Sequence, residues 1–382
     1  MRACRRPASR PALTSGPEPD SLERGRVPAG FNPSRESRMQ TRITELFGIR
    51  HPIVLSGMSW VSTPEMVAAV SNAGGLGILA TGVYGAEQTR QAVRRVRELT
   101  DKPFAANATL YFPGARENAK VLLEEQVPVI NVSMGKGDWI VEAARKYGGK
   151  VIATVVNEKH GRAAEAWGAD ALLATGHEAA AHGGDVTTMV LVPTLADAVR
   201  IPIVAAGGIA DGRGLAAVLA LGADGAAMGT RLMATQESPV HQTSKDAAIL
   251  TGAYDTLYTT RFDGQPCRIL VAPGSRTAVR RGLDLPRAFV NSREIAAMMG
   301  VPYGKLFLGV TASGWQNIRR MSFLANAFKA FKQACVDGDL TRGVLPLGQA
   351  AGMVHDIPTV SEVIERVVAQ AEAICGMGVR AG

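Results

Sequence analysis

The sequence predicts an α/β protein, a (β/α)8 barrel of parallel strands with a smaller, mostly helical subdomain inserted after strand eight. Two observations predict the barrel. Eight short runs of β-branched or small residues alternate with helical segments between residues 41 and 231. Each run is continuously apolar, as expected of strands buried on both faces of a parallel sheet. Eight consecutive strand-helix units favour a closed barrel over a doubly wound sheet.

The predicted strands share this apolar, β-type composition, and helix-end signals separate them. In chain order they are 52–55, 76–80, 103–108, 128–132, 150–156, 170–174, 201–206 and 224–229. The helix after the first strand begins with Thr63 as its cap and Pro64 at its first position, and it ends at the glycine pair 74–75. A proline at the start and glycine beyond the end are typical helix boundaries.

The alternation stops beyond Arg231. Residues 235–345 contain helical patches at 244–250, 292–299 and 315–335 and a Gly/Pro-containing region at 263–274, which together predict a smaller helical subdomain over the substrate site. In the last segment, 346–382, apolar residues recur at helical spacing from 360 to 374. This helix is expected to pack back onto the barrel, which we place at residues 39–234.

Residues 1–38 form a different segment, rich in Arg, Pro, Ser and Gly, with eight arginines and four acids. The composition predicts disorder. Because transit peptides are poor in acids, an extension upstream of a start at Met39 is favoured over a targeting segment.

Composition excludes several classes of partner. No apolar run reaches the ~18 residues of a membrane span. Half of the net charge of +8 lies in the N-terminal tail, and only 5% of residues are aromatic, so we expect no nucleic-acid partner. Cys4, Cys267, Cys335 and Cys375 form no CxxC pair, which predicts neither a metal site nor a disulfide framework and favours the cytoplasm.

Glycine turns follow the last two predicted strands, at Gly207–Gly208 and at Gly229–Thr230. Paired glycines expose backbone N–H groups, and the following helix N-termini add a positive dipole end, so these turns predict a ligand that carries a phosphate. The segment 75–80 also fits GxGxxA, but it follows a helix and opens a strand. We therefore interpret it as a turn rather than a dinucleotide fingerprint.

The loop after the sixth strand consists of small residues and carries His177, Glu178 and His182. Histidine titrates near neutral pH, and strand ends of such barrels carry active sites, which favours a reaction site. The alternative is that each histidine is a loop residue with a satisfied hydrogen bond. These residues alone leave both interpretations open.

Several motifs together resemble the nitronate monooxygenase family, formerly called 2-nitropropane dioxygenases. HPIVLSGM at 51–58, VSTPEM at 61–66 and SNAGGLG at 71–77 resemble its N-terminal signature. Segments 103–107, 176–184, 206–214, 228–231 and 348–365 are similar to its later blocks. The resemblance spans about residues 41–374 and implies an FMN-binding TIM barrel, which is also similar to flavin-dependent enoyl-acyl-carrier-protein reductases.

The resemblance also implies site residues. His182 matches the family's catalytic histidine, whereas His177 occupies a variable position. The residues expected to bind the cofactor are Met58, Asn107, Thr175, Gly176, Ala179 and Ala180 around the flavin ring and Gly207, Gly208, Gly229 and Thr230 around the phosphate. No metal is expected. Family glycines are replaced by Ala180 and Ala181, which is expected to narrow the space above the flavin.

The function implied first is FMN-dependent oxidation of alkyl nitronates, and of nitroalkanes, by molecular oxygen to a carbonyl compound and nitrite. His182 would act as general base or bind the nitronate. The alternative is an NAD(P)H-dependent flavin reductase that acts on an enoyl thioester or a quinone. A non-enzymatic phosphate-binding barrel would leave His182 without a role. A homodimer is a further expectation.

Other polar residues near the predicted mouth are expected to be structural or solvated. These are Lys136 and Asp138 after strand four, and Tyr258, Thr260 and Arg261 in the subdomain.

Overall fold

The computed structural model describes residues 39–112, 114–180, 182–298 and 302–377. The predicted tail, residues 1–38, lies outside the described residues, as does Ala181.

Eight parallel strands close into a barrel in which each strand pairs with the next and β8 pairs with β1. Val54 of the first strand is in register with Leu76 of the second and with Ala227 of the eighth. The strands are β1 (Ile53–Leu55), β2 (Leu76–Leu79), β3 (Phe104–Thr109), β4 (Val129–Ser133), β5 (Lys150–Val155), β6 (Ala171–Thr175), β7 (Ile203–Ala206) and β8 (Gly225–Met228). The predicted (β/α)8 fold is confirmed, with strand ends displaced by at most two residues.

Helices surround the strands, and a first helix closes one end of the barrel. These helices are α1 (Arg42–Phe47), α2 (Pro64–Asn72), α3 (Ala86–Leu99), α4 (Ala115–Glu124), α5 (Asp138–Arg145), α6 (Glu158–Ala166), α7 (Thr188–Ala198) and α8 (Gly212–Ala220). Thr63 caps α2 in an extended conformation, and Pro64 is its first residue, as predicted.

The barrel interior and the space between strands and helices are separate apolar layers. Ile43 and Phe47 of α1 belong to the interior layer with Val54, Ile152 and Val204. Because α1 covers the amino-terminal ends of the strands, the carboxyl-terminal ends form the open mouth. That mouth is where a (β/α)8 barrel binds its ligands.

Beyond β8 the chain forms helices and a hairpin. These elements are α9 (Thr230–Met233), α10 (Gln242–Leu250), the antiparallel pair β9 (Thr256–Thr259) and β10 (Cys267–Leu270), α11 (Pro273–Arg281), α12 (Leu285–Met298), α13 (Tyr303–Ala312), α14 (Trp315–Cys335), a 3-10 turn (Gln349–Met353) and α15 (Val360–Met377). The amide of Gly212 in α8 donates to Gln370 Oε1 at 2.8 Å, so α15 packs against the barrel helix α8.

The sequence pattern identified four of these helices, α10, α12, α14 and α15, and missed the hairpin. The hairpin strands have four residues each, too few to show a period, and β10 lies in the region interpreted as Gly/Pro-containing. In the described part of the chain, no helix is both long and apolar enough to cross a membrane.

Candidate active site

Two glycines at the end of β7 bring the loops after β6 and β7 together. Gly207 has φ of +113° and Gly208 has φ of +74°, conformations that side chains disfavour. A Cβ atom on Gly207 would lie 3.2 Å from the amide nitrogen of Ala179 and 3.3 Å from the carbonyl oxygen of Gly176. Three of the predicted cofactor-binding residues therefore meet at one point of the mouth.

A third glycine, Gly348, completes this cluster from the far end of the chain. Its amide donates to Thr230 Oγ1 at 3.1 Å, and a Cβ atom there would lie 3.1 Å from the amide nitrogen of Ala180. The cluster, which we call the glycine cradle, consists of Gly207, Gly208, Gly229, Thr230 and Gly348. A side chain at Gly207 or Gly348 would fill it.

The glycine cradle fits the phosphate of FMN. Within the part of the chain that the structure describes, the amides of Gly207, Gly208, Gly229 and Thr230 donate to no backbone or side-chain acceptor. Unpaired amides that converge on one concave surface bind anions. The expected contribution of the α8 N-terminus to phosphate binding is corrected, because the Asp211 carboxylate already accepts hydrogen bonds from the amides of Arg213 and Gly214.

The residues predicted for the flavin ring lie at neighbouring strand ends. Met58 follows β1, and its sulfur would lie 3.1 Å from a Cβ atom on Gly229. Asn107 of β3 is buried, and its amide donates to Thr109 Oγ1 at 3.0 Å. Thr175 ends β6, where its carbonyl oxygen accepts from the amide of Gly184 at 3.4 Å. The structure thus places Met58, Asn107 and Thr175 around the same mouth as the cradle.

Glu178 shapes the loop after β6. Its carboxylate accepts from the Thr188 amide at 2.9 Å and from the Thr188 hydroxyl at 3.0 Å. The same hydroxyl lies 3.0 Å from the carbonyl oxygen of Gly207. Glu178 therefore fixes the loop that carries His182 against the β7 turn.

His182 pairs with a carboxylate from the hairpin. Its Nε2 lies 2.7 Å from Asp263 Oδ2, and Asp263 Oδ1 accepts from the amide of Gln265 at 3.0 Å. The His182 side chain is 29% exposed, whereas Asp263 is 6% exposed. A buried carboxylate thus orients an imidazole that remains accessible from the mouth. Sequence reasoning missed Asp263, whose only signal was its place in the Gly/Pro-containing region.

Cys267 lies beside this pair, with its sulfur and the ligand atoms of His182 and Asp263 all within 4.8 Å of one another. Burial raises the pKa of the Cys267 thiol well above its usual value, and the negative charge of Asp263 raises it further.

His177 is held by the loop and the hairpin. Its Nδ1 lies 3.1 Å from the carbonyl oxygen of Gly184, and its ring centroid lies 4.3 Å from that of Tyr258. Its carbonyl oxygen accepts from the Arg268 guanidinium at 3.0 Å. Tyr258 also donates to the carbonyl oxygen of Gly183 at 3.0 Å. These contacts give both rings a structural role.

The remaining polar candidates lie away from the pair. Lys136 and Asp138 form an ion pair with side chains 68% and 46% exposed. Arg261 donates to the carbonyl oxygen of Val279 at 3.0 Å, and Thr260 is exposed.

An apolar pocket of about 200 Å³ adjoins the mouth. Gly82 and Phe112 from the barrel loops line one side, and α12, α13 and α14 line the other. Phe328 of α14 makes edge contacts with Phe112 at 5.2 Å and with Trp60 at 5.4 Å between ring centroids. Trp60 lies two residues beyond Met58, so Phe328, which lines the pocket, contacts the loop that carries Met58.

The fold and the site define a (β/α)8-barrel protein with an enzyme-like active site at its carboxyl-terminal mouth. A family model described as "Nitronate monooxygenase" matches residues 40–122 and 112–370, and the chain belongs to this family. The predicted family membership is confirmed.

Similar proteins include a dehydrogenase, a probable monooxygenase and a solved structure. The "(3aS,4S,5R,7aS)-5-hydroxy-7a-methyl-1-oxo-octahydro-1H-indene-4-carboxyl-CoA dehydrogenase" of Rhodococcus jostii is 37% identical over 88% of this chain and 96% of its own length. A "Probable nitronate monooxygenase" of Staphylococcus saprophyticus is 32% identical over 60% of this chain and 78% of its own. FabK from Thermotoga maritima is 36% identical, covering 89% of this chain and 98% of its own, with a TM-score of 0.75. The family and these relatives identify an oxidoreductase.

Proposed function

We propose that this protein is an FMN-dependent oxidoreductase that reduces an apolar enoyl group carried as a thioester, with NAD(P)H as the electron donor. The observation that carries this proposal is the apolar pocket between the barrel mouth and α12 to α14. Clefts lined mainly by apolar and aromatic side chains bind ligands that bury a matching apolar surface. An acyl chain has such a surface, and a small nitronate does not.

The name of one relative supports the same choice. The Rhodococcus jostii dehydrogenase, which matches 88% of this chain, is named for a carboxyl-CoA compound.

FMN would supply the transfer of an electron pair between the nicotinamide and the substrate. The chain's own contribution is a proton. If Nε2–H of His182 donates to Asp263, Nδ1 retains the lone pair, and no described residue bonds to Nδ1. His182 can then hold a proton at Nδ1 and donate it to the carbon beside the thioester carbonyl, while Asp263 stabilises the imidazolium. The C=C bond gains a hydride and a proton, and NAD(P)H is oxidised.

Oxidation of alkyl nitronates by molecular oxygen is the second candidate. The specific observation in its favour is the same pair, because a protonated His182 beside the cradle would bind an anionic nitronate. The homodimer and the cytoplasmic location stay predictions.

The experiment compares substrates on the purified protein loaded with FMN. NADPH oxidation is followed with short-chain and long-chain 2-enoyl-CoA, and nitrite formation is followed with propyl nitronate in air. We expect NADPH oxidation that depends on the enoyl thioester and is faster with the long chain. Nitrite release without any thioester-dependent oxidation of NADPH would overturn the proposal in favour of the second candidate.

A variant of the apolar pocket tests whether that pocket binds the acyl chain. Ser322 lines the apolar pocket and is partly buried, so Ser322→Phe is expected to occupy it and remove the preference for the long chain. The matched control is Ala312→Phe, at an exposed position of α13 that does not line the pocket. Equal chain-length preference in both variants would show that the pocket does not bind the acyl group.

A further inference from the structure

A second cavity, of about 260 Å³, lies among α11, α12, α14 and the turn after α14. We call it the basic pocket because three arginines line it: Arg281 from the end of α11, Arg287 from α12 and Arg342 from the turn. The proposed redox chemistry uses none of them.

The positive charge of the basic pocket is only partly balanced. Arg281 pairs with Asp284 at 3.3 Å. Among the described residues, the guanidinium groups of Arg287 and Arg342 have no hydrogen-bond or ion-pair partner. Burial lowers the pKa of Arg287, and the nearby charges of Arg281 and Arg342 lower it further against the opposing effect of Asp284. Asp339 interacts with Arg342, whose charge contributes to lowering the pKa of that carboxyl group. Three cations thus face two carboxylates, which leaves an excess of one positive charge.

One neutral group of the pocket suits the same ligand. Thr277 places a hydroxyl group on its wall, whereas the Thr341 hydroxyl already donates to Asp339 at 2.6 Å and the Asn326 amide donates to the carbonyl oxygen of Asp284 at 2.9 Å. Guanidinium groups present paired N–H donors whose planar geometry matches phosphate oxygens, and a phosphate monoester carries nearly two negative charges at neutral pH. The charge and the donors of the pocket therefore complement a phosphate monoester.

The basic pocket and the apolar pocket lie on two sides of the same helix pair. Ala288 and Ala325 line the apolar pocket, whereas their chain neighbours Arg287 and Asn326 line the basic pocket. Phe262, which also lines the basic pocket, precedes the Asp263 that binds His182.

We propose that Arg281, Arg287 and Arg342 bind the phosphate monoester of an adenosine ribose, the group that coenzyme A carries at its 3′ position and NADPH at its 2′ position. This assignment rests on the proposed function, which uses both molecules. The basic pocket is accordingly a binding subsite that is separate from the glycine cradle.

The test is a binding measurement on the FMN-loaded protein by calorimetry, with CoA, dephospho-CoA, NADPH and NADH as separate probes. We expect one phosphorylated probe to bind about 10-fold or more tightly than its dephosphorylated partner, the size of effect that charge-assisted hydrogen bonds produce. Discrimination within the CoA pair assigns the pocket to the thioester carrier, and discrimination within the NADPH pair assigns it to the electron donor. Equal binding within both pairs would overturn the proposal.

Arginine variants test whether the basic pocket causes this discrimination between the probes. Arg287→Gln combined with Arg342→Gln is expected to abolish the discrimination, and Arg342→Gln alone, at an exposed position, reduces it if the double variant does not fold. The control is Arg276→Gln, which removes an exposed arginine from α11 outside the pocket. Discrimination that persists in Arg342→Gln and in the double variant would contradict the assignment. Because binding is measured without turnover, the two proposals can fail separately. If the arginine variants lose the discrimination but the wild-type protein does not reduce thioesters, only the proposed function is refuted.

Discussion

The substitution Asp263→Asn tests whether the hairpin carboxylate prepares His182 for proton transfer. Asparagine keeps the size of the side chain and an oxygen that can accept from Nε2, 2.7 Å away, but it removes the negative charge. A hydrogen bond to a charged group contributes about 1.5–3 kcal/mol. If that contribution holds the imidazole in the tautomer and orientation from which Nδ1 delivers the proton, its loss lowers kcat by about 10- to 150-fold. Substrate KM is expected to change little, because Asp263 is buried behind His182.

The assay is steady-state NADPH oxidation with a long-chain enoyl-CoA, on protein with full FMN content. Asp263→Glu should recover part of kcat. Asp337→Asn is the control, since this carboxylate is exposed. A kcat within about twofold of wild type, or a loss confined to KM, would refute the positioning role.

The remaining predictions concern the cradle and the acid stability of the fold. Gly207→Ala places a methyl group on a residue with φ of +113°, and the variant is expected to lose FMN on gel filtration. The control is Gly148→Ala, which is also strained, at φ of +82°, but places its methyl group in open space and should retain FMN. Burial raises the pKa of Asp356, but its hydrogen bond to Arg231 and the neighbouring charges outweigh this effect and hold the pKa below the usual value. The stability from this group is therefore present above the carboxyl's unfolded pKa and is lost as pH falls through the lower folded value. In urea unfolding at neutral pH, the midpoint of Asp356→Asn should lie below that of wild type. In acid the two midpoints should approach each other; a difference that does not change with pH would contradict this prediction.

The barrel could be predicted from the sequence because its signals are local. Each strand is buried on both faces and so reads as a continuous apolar run, and capping residues such as Thr63 and Pro64 mark the helix ends. The glycine turn after β7 was predictable for the same reason, since the positive φ of Gly207 and Gly208 is a conformation that favours glycine.

The site beyond the barrel could not be predicted in the same way. His182 and Asp263 are 81 residues apart, and nothing in the spacing of the chain indicates that they meet. Gly348 joins the cradle from a similar distance, through a single hydrogen bond to Thr230. The apolar pocket depends on how α12, α13 and α14 pack, which their individual helical periodicity does not determine.

Because the hairpin supplies Asp263, the active site is built from two separate segments of the chain, the barrel and the insert. The barrel carries the histidine and four of the five cradle residues, while the inserted segment carries the histidine's carboxylate, one side of the apolar pocket and the lining of the basic pocket. Exchange of that insert between relatives would therefore change both the substrate preference and the carboxylate that pairs with His182 in one genetic event. The barrel would continue to bind the cofactor. In a chimera, the insert and its hairpin should be transplanted as a single unit.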